Sequence, residues 1–489
     1  MPIAPYEVYP FAKLIVLNIY VRSKIPIKAD TCTPSGSDPL IYELKDGDER
    51  LQATISYEDS YVQPLIVAAF KQLFSGFDYT LMTDLPSPSD QNATLTLPKT
   101  DSTKSKTLHV LPYETIDFDY ASSHTQTCMI NSYMIRKAVI RKHYLSNTFE
   151  HWVAKRPESV LSKHCKRSET FEVDYAEFLD DALVEAFDLR ESMDKNSSLS
   201  DNTDDANQQK QWWILKPGMS DRGQGIRLFS TLDELQEIFD KWEADRPDSD
   251  DENGDVETDK QQAVDTLSEL PATTSDDYIT ASHLRHFVAQ PYIHPPLLLE
   301  GEDRKFHIRT YVLCVGSLRV FVYKRMLALF AAKPYTAPWT APDDIESFLT
   351  NTCLQDSPNE NSVREFTELP IPSTASSAIF SQICSVTGEV FEAAARASPI
   401  HFQTLPNAFE VFGLDFLVDA GGTAWLLEVN AFPDFKQTGA ELHDLVGDFW
   451  KGVLRCAVVP FFGLESAETR KAEEEEDMIL VRDIDLGRR

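Results

Sequence analysis

The chain has 489 residues, with 42% hydrophobic and 25% charged side chains, the proportions of an ordinary folded protein of roughly three domains. Those proportions exclude wholesale disorder, a fibrous repeat and a disulfide scaffold. A formal charge of -32 makes the chain a poor general binder of nucleic acid, anionic membrane or acidic protein tails. The seven cysteines are odd in number and contain no C-x-x-C pair, so a zinc or redox motif is not expected and reduced thiols are.

Residues 11–22 (FAKLIVLNIYVR) are apolar but interrupted by Lys13 and Asn18. They predict a strand over 11–20 rather than a signal peptide. No run reaches the roughly 18 apolar residues that span a bilayer, and a cytoplasmic protein is expected. A strand over 51–57, a buried helix over 60–75 and a strand over 107–114 predict a small α/β domain within residues 1–125. Segment 86–106 reads as a polar loop.

Residues 132–145 (SYMIRKAVIRKHYL) carry an amphipathic helix pattern. From 136 to 167 there are nine Lys or Arg against two acids. That basic island is either a solvated helix face or a wall for phosphates or an acidic partner. Three stretches, 188–206, 241–277 and 464–477, together hold -19 of the net charge. Their composition predicts disordered insertions and an acidic tail.

Between the first two insertions, QWWILKPGMSDRGQGIRLF (211–229) reads as strand, Gly-rich turn, strand. The helix that follows has a capping-box signature in Thr231 and Glu234. Residues 286–299 give a strand and a Pro-rich connector. Residues 306–323 read as a hairpin around Gly316–Ser317, 374–397 as a helix, 409–429 as a second hairpin across Gly421–Gly422, and 438–460 as terminal helices.

The second hairpin carries the strongest chemical signal. Glu428 and Asn430 are two apart on one strand and share a face, and Asp415 on the partner strand can join them. Three oxygen donors in an apolar sheet suit Mg²⁺. The Gly-rich turn from Lys216 to Gly225 lets backbone amides approach phosphates, although alone it is a weak signal. Lys305, His307 and Arg309 alternate onto one strand face and could neutralise a triphosphate.

Taken in order, these pieces resemble the ATP-grasp fold and, in detail, the tubulin-tyrosine-ligase-like family, over roughly residues 125–460. The resemblance rests on WWILKPGMSDRGQGIRLF, AQPYIHPPLLLEGEDRKFHIRTYVL and VFGLDFLVDAGGTAWLLEVNAFPDF, with MIRKAVIRKHYL similar to the family's lysine-bearing helix. NSYMIRKAVIRKHYLSNT and KFHIR look most like the fungal, P-body-associated subset.

The resemblance implies an α+β architecture in which two lobes, 126–295 and 296–460, sandwich ATP after the N-terminal domain, with 461–489 as an acidic tail. It implies phosphate contacts from Lys216 and from Arg222, Gly223 and Gly225 of the turn. Gln290 would meet the adenine edge and Ile293 the hinge. Lys305, His307 and Arg309 would face ribose and phosphates, while Asp415, Glu428 and Asn430 would hold Mg²⁺. Lys305, Arg309 and Lys137 would be catalytic, Lys137 reaching toward the substrate side. The implied chemistry is ATP-dependent amide formation through an acyl phosphate, on a protein acceptor such as tubulin. The alternative is an ATP-binding scaffold for mRNA-decay proteins in P-bodies. Neither reading calls for direct nucleic-acid or membrane binding.

The sequence departs from the family pattern at two places. His307 stands where the family has Asp, and Leu329 stands where it has an arginine that would hold the acceptor, with Arg325 nearby but out of register.

Overall fold

Strand β1 (Leu51–Ile55) opens a parallel sheet with β2 (Tyr79–Met82), β3 (Lys106–Val110) and β4 (Cys128–Ile130), in the order β2-β1-β3-β4. Parallel neighbours need a crossover. Helix Val62–Leu73 supplies it between β1 and β2, burying Val62, Leu65, Ile66, Ala69, Phe70 and Leu73 at helical spacing. The computed structural model describes residues 50–57, 59–83, 105–199, 204–218, 223–244, 286–350, 362–438, 442–464 and 477–486, all within one unit spanning 48–489. The strand expected over 11–20 and most of the 86–106 loop lie outside the described residues.

The second sheet is antiparallel: β5 (Glu169–Glu172), β6 (Trp213–Pro217), β7 (Arg227–Phe229) and β8 (His286–Pro291), in the order β5-β8-β6-β7. Helix Leu232–Ala244 follows β7. Its capping box closes, with Thr231 Oγ1 accepting from Glu234 N at 3.3 Å and Glu234 Oε2 accepting from Thr231 N at 3.2 Å. The expected disorder over 188–206 is corrected. Phe187–Ser197 is a helix whose Leu189 and Met193 enter the core of this lobe. Its buried Asn196 donates to Gln211 O and Ser230 O, each at 2.8 Å. Three well-placed side chains outweigh the acidic composition. Residues 241–244 of the second insertion end the helix Leu232–Ala244, and 245–277 lie outside the described residues.

The third sheet is built on β9 (Phe306–Val315), with β10 (Arg319–Tyr323), β11 (Leu327–Phe330), β12 (Val363–Glu365), β13 (Phe409–Val418), β14 (Ala424–Ala431) and β15 (Met478–Asp483). β13 pairs along one side of β9, while β10 and β11 share the other. The acidic tail expected over 461–489 is corrected at its end: apolar Met478–Val481 continue into an edge strand on β10. Helix Ser373–Ala397 belongs to the core on one face of the sheet, and helix His443–Val453 to the core on the other.

β9 is coded on both faces. Ile308, Val312 and Cys314 enter one core, while Tyr311, Leu313 and Val315 enter the other. The odd-numbered face continues backward through Arg309 and His307 to Lys305, which line a cleft instead. β13 does the same: Phe409 and Val411 are core, and Asp415 on the same face lines the cleft.

The helix expected over 132–145 is also corrected. Helical structure runs over Lys137–Ile140 and Lys142–Lys155, broken at Arg141 with φ −100° and ψ 120°. The preceding segment is held elsewhere. Asn131 bridges Leu111 N and O, at 2.9 Å each, and Gln403 N donates to Ile135 O at 2.7 Å.

Candidate functional site

A cleft of about 740 Å³ opens between the second and third sheets, edged by loops of the first. That volume suits a ligand of nucleotide size. Lys216 on β6 is buried, and its Nζ donates to Gln290 Oε1 of β8 at 2.9 Å. Burial lowers its pKa to about 8, with Lys142 adding to the shift and Glu428 opposing it. Lys305 is also buried, 3.2 Å from the Tyr292 hydroxyl and 4.7 Å from the ring centroid. Burial and the charge of Lys216 lower its pKa to about 7. Two buried cations close together in one cleft suit a polyanion.

Opposite them, Asp415 and Glu428 are register partners across β13 and β14. Asn430 Nδ2 lies 3.2 Å from Asp415 Oδ2 and 3.2 Å from Glu428 Oε1, so the three side chains do meet. Burial resists ionisation of Glu428, but Lys142, 3.7 Å away, together with Lys216 and Asn430 pulls its pKa down to about 2. Asp415 moves the other way, to about 7, through burial and the neighbouring Glu428 charge, against the pull of Arg309. Two facing carboxylates thus differ in their hold on a proton.

Arg309 lines the cleft and also grips a carboxylate. Its Nε and Nη2 donate to Asp415 Oδ1 and Oδ2 at 2.5 and 3.1 Å. The cation therefore orients a carboxylate, as a buried guanidinium requires. Gly413 makes room for it: a Cβ there would meet Pro433 Cβ at 2.8 Å and Arg309 Cδ at 3.3 Å. His307 is buried, with Nδ1 2.5 Å from Thr350 Oγ1 and Nε2 3.5 Å from Asp415 Oδ1. Burial and Arg309 lower its pKa to about 3, so the ring is neutral.

Gln290, Ile293 and Gly223 line the cleft. Gly223 and Gly225 both have positive φ, 81° and 69°, the left-handed geometry that glycine tolerates. Arg222 lies outside the described residues. Lys137 is exposed and absent from the lining; Arg136 and Lys142 line the cleft in its place. Sequence reasoning passed over Lys142 within the same basic motif. It also passed over Tyr57, Tyr113 and Phe432, which come from loops without a spacing signal.

Leu329 is buried in the core, in register with His307 across β11 and β9, and does not line the cleft. Arg325 is occupied by Glu365 Oε2 at 3.0 Å and Asp448 Oδ2 at 3.4 Å.

Comparison with known proteins agrees with this geometry. A solved structure of the C-terminal domain of Kluyveromyces lactis Pby1, described as an ATP-grasp enzyme interacting with the mRNA decapping enzyme Dcp2, superposes with a TM-score of 0.61. It has 34% identity, over 89% of this chain and 99% of that one. The fold is therefore an ATP-grasp fold. The family model for the tubulin-tyrosine ligase family matches residues 123–465, and the chain belongs to that family. A Schizosaccharomyces pombe protein described as a probable tubulin–tyrosine ligase is 40% identical over 86% of this chain and 94% of its own length. The Saccharomyces cerevisiae protein PBY1, described in the same words, is 43% identical over 78% of this chain, which spans 49% of that relative.

Proposed function

We propose that this chain binds ATP with Mg²⁺ in the cleft and joins a carboxylate to an amine on a protein acceptor. The carrying observation is that buried Lys216 and Lys305 meet an oxygen-donor set, Asp415, Glu428 and Asn430, in one cleft. A triphosphate would relieve the burial penalty of both lysines. Two carboxylates and an amide fit Mg²⁺, which keeps waters and phosphate oxygens in its remaining positions. When bound, the metal supplies charge neutralisation at the transferred phosphoryl group.

The reaction balances in two displacements. An oxygen of the substrate carboxylate bonds to the γ-phosphorus, the phosphorus–oxygen bond to ADP breaks, and ADP leaves with the electron pair. The amine nitrogen then bonds the acyl carbon, the carbon–oxygen bond to phosphate breaks, and the amine proton passes to solvent. Lys305 and Lys216 stabilise the phosphoryl charge, Gln290 holds Lys216, Arg309 aligns Asp415, and Tyr292 with Ile293 forms the apolar wall for the base.

One observation favours a second reading. Leu329 is buried and Arg325 is consumed by two acids, which strips the acceptor side of the arginine that the resemblance implies. In this reading the chain is an ATP-binding platform for mRNA-decay proteins in cytoplasmic P-bodies. The described interaction of the solved relative with a decapping enzyme supports it. Single-turnover ADP release from Mg·ATP, with and without tubulin and a pool of amino acids, separates the two. Acceptor-dependent release supports the ligase. Tight ATP binding without stimulated release supports the platform. Absence of ATP binding sinks both.

A further inference from the structure

The lobe built on the second sheet carries a patch that the cleft chemistry does not use. Residues 171–189 run from β5 through two short helical turns, Ala176–Phe178 and Leu179–Ala182, into the helix Phe187–Ser197. Val173, Ala176, Leu179, Leu183, Ala186 and Leu189 recur every three or four residues and enter the core of this lobe. That stripe is the inward face of the segment. The same segment holds four more large apolar side chains, and these face solvent. Tyr175, Phe178, Val184 and Phe187 are 42%, 47%, 56% and 72% exposed, half of the eight such residues exposed among those described. None of the four lines the cleft.

The four are gathered rather than scattered. The Tyr175 and Phe178 rings meet edge to face with centroids 6.1 Å apart. Arg190 lies three residues beyond Phe187 and shares its helix face. Its Nη1 donates to Asp180 O at 3.2 Å, and its Nη2 pairs with Asp180 Oδ1 at 2.9 Å. The start of the helix is thereby tied to the turns that carry Phe178. Single exposed apolar residues are ordinary, but a gathered set with a polar rim marks an interaction surface.

The rim sets the sign of the partner. From Glu172 to Asp188 there are seven acids and no base. Glu172, Asp180 and Asp188 are engaged by His286, Arg190 and Arg167. Glu177, Asp181 and Glu185 are exposed and have no cation beside them among the described residues. A second copy docking face to face would set these acids against themselves, and nucleic acid or an anionic bilayer would be repelled.

We infer that this patch docks a basic, apolar segment of a partner protein. Large side chains of that segment cover Phe178 and Phe187, and its Lys or Arg residues meet Glu177, Asp181 and Glu185. Aromatic anchors supply affinity, and the charged rim supplies selectivity. The surface lies apart from the cleft residues, so the inference stands whichever reading of the cleft holds.

The test selects peptides on the full chain. A phage-displayed library of random linear peptides is panned on the wild type after depletion on the Phe178→Asp, Phe187→Asp double variant. The expected products carry net positive charge and at least two large apolar residues. Labelled with a fluorophore and read by anisotropy, they bind the double variant roughly tenfold more weakly or worse. Glu177→Lys with Glu185→Lys, which leaves the apolar side chains in place, weakens them as well. Raising salt from 0.1 to 0.5 M weakens their binding to the wild type. Circular dichroism melting checks the fold of each variant. Should the double Asp variant not fold, the Glu→Lys pair and the salt response of the wild type decide. The inference is overturned if no peptide distinguishes the wild type from the variants, if the selected peptides are neutral or acidic, or if salt leaves their binding unchanged. A dimer in sedimentation velocity that Phe187→Asp dissolves would give the patch to a second copy and overturn it too.

Discussion

The two ends of the cleft are built by different rules. At the carboxylate end, Asp415, Glu428 and Asn430 sit on paired strands, so the two-residue period and the β13–β14 register alone bring them together. At the other end, Tyr57, Tyr113, Arg136 and Phe432 come from four separated loop segments whose meeting depends on how sheets pack. The first arrangement follows from strand register, and the second from the meeting of separate segments. Register constrains chemistry more tightly than loop packing does.

The sharpest way to break this comparison is Glu428→Gln. We expect Mg²⁺-dependent ATP affinity, read by calorimetry, to fall by more than roughly a hundredfold, because a charged ligand and the partner of Lys142 and Lys216 go together. The melting temperature should move little, since the Glu428 side chain is 30% exposed. Retained metal-dependent affinity would remove Glu428 from the donor set and leave the two ends equally unassigned.

Leu329→Arg addresses the other end. If this position still belonged to an acceptor subsite, the substitution would restore an anchor without harm. Leu329 is 1% exposed and packed in the core, so we expect a loss of about 3 kcal/mol or more in a urea titration, the cost of an unpaired buried charge. A variant as stable as the parent would show that the position opens to the cleft.

How far the sequence could be read follows the same division. Alternation along Lys305, His307 and Arg309 was visible, and so was the Glu428–Asn430 spacing. The fate of Arg309 was not, because its bidentate grip on Asp415 depends on the β9–β13 register and on the room left at Gly413. Acidic composition hid the helix Phe187–Ser197 and strand β15. In both, a few apolar side chains at the right period decide the structure. Lys137 and Lys142 lie in one motif, and which of them enters the cleft depends on how that segment packs against the sheets.

Lys305→Met should give two effects of opposite sign. ATP affinity falls roughly tenfold with the loss of a charged phosphate contact. Stability rises at pH 6, because the wild type there must keep a charged amine buried. The folded pKa of about 7 lies below the ordinary lysine value of 10.5, so the unfolded chain binds more protons between those values. Wild-type stability therefore climbs as pH rises through that window. The variant's advantage of a few degrees at pH 6 should fade as pH approaches 10, as differential scanning fluorimetry across pH would show. A lower melting temperature at pH 6 would mean that the ammonium is favourably solvated in the cleft.

The smallest effect tests whether the two lysines act as one anion site. At pH 8, Lys305, with a pKa of about 7, is mostly neutral and Lys216, with a pKa of about 8, is half protonated. Phosphate oxygens favour the charged form of both, so nucleotide binding should draw in on the order of one proton. At pH 6 both are already charged and the lysine contribution vanishes. Calorimetry at pH 8 in two buffers of different ionisation enthalpy reads this number directly. Lys305→Met should cut it to the share of Lys216, about half a proton. An uptake that Lys305→Met leaves unchanged would place the proton elsewhere in the cleft and separate Lys305 from the phosphates, even if its loss weakens binding.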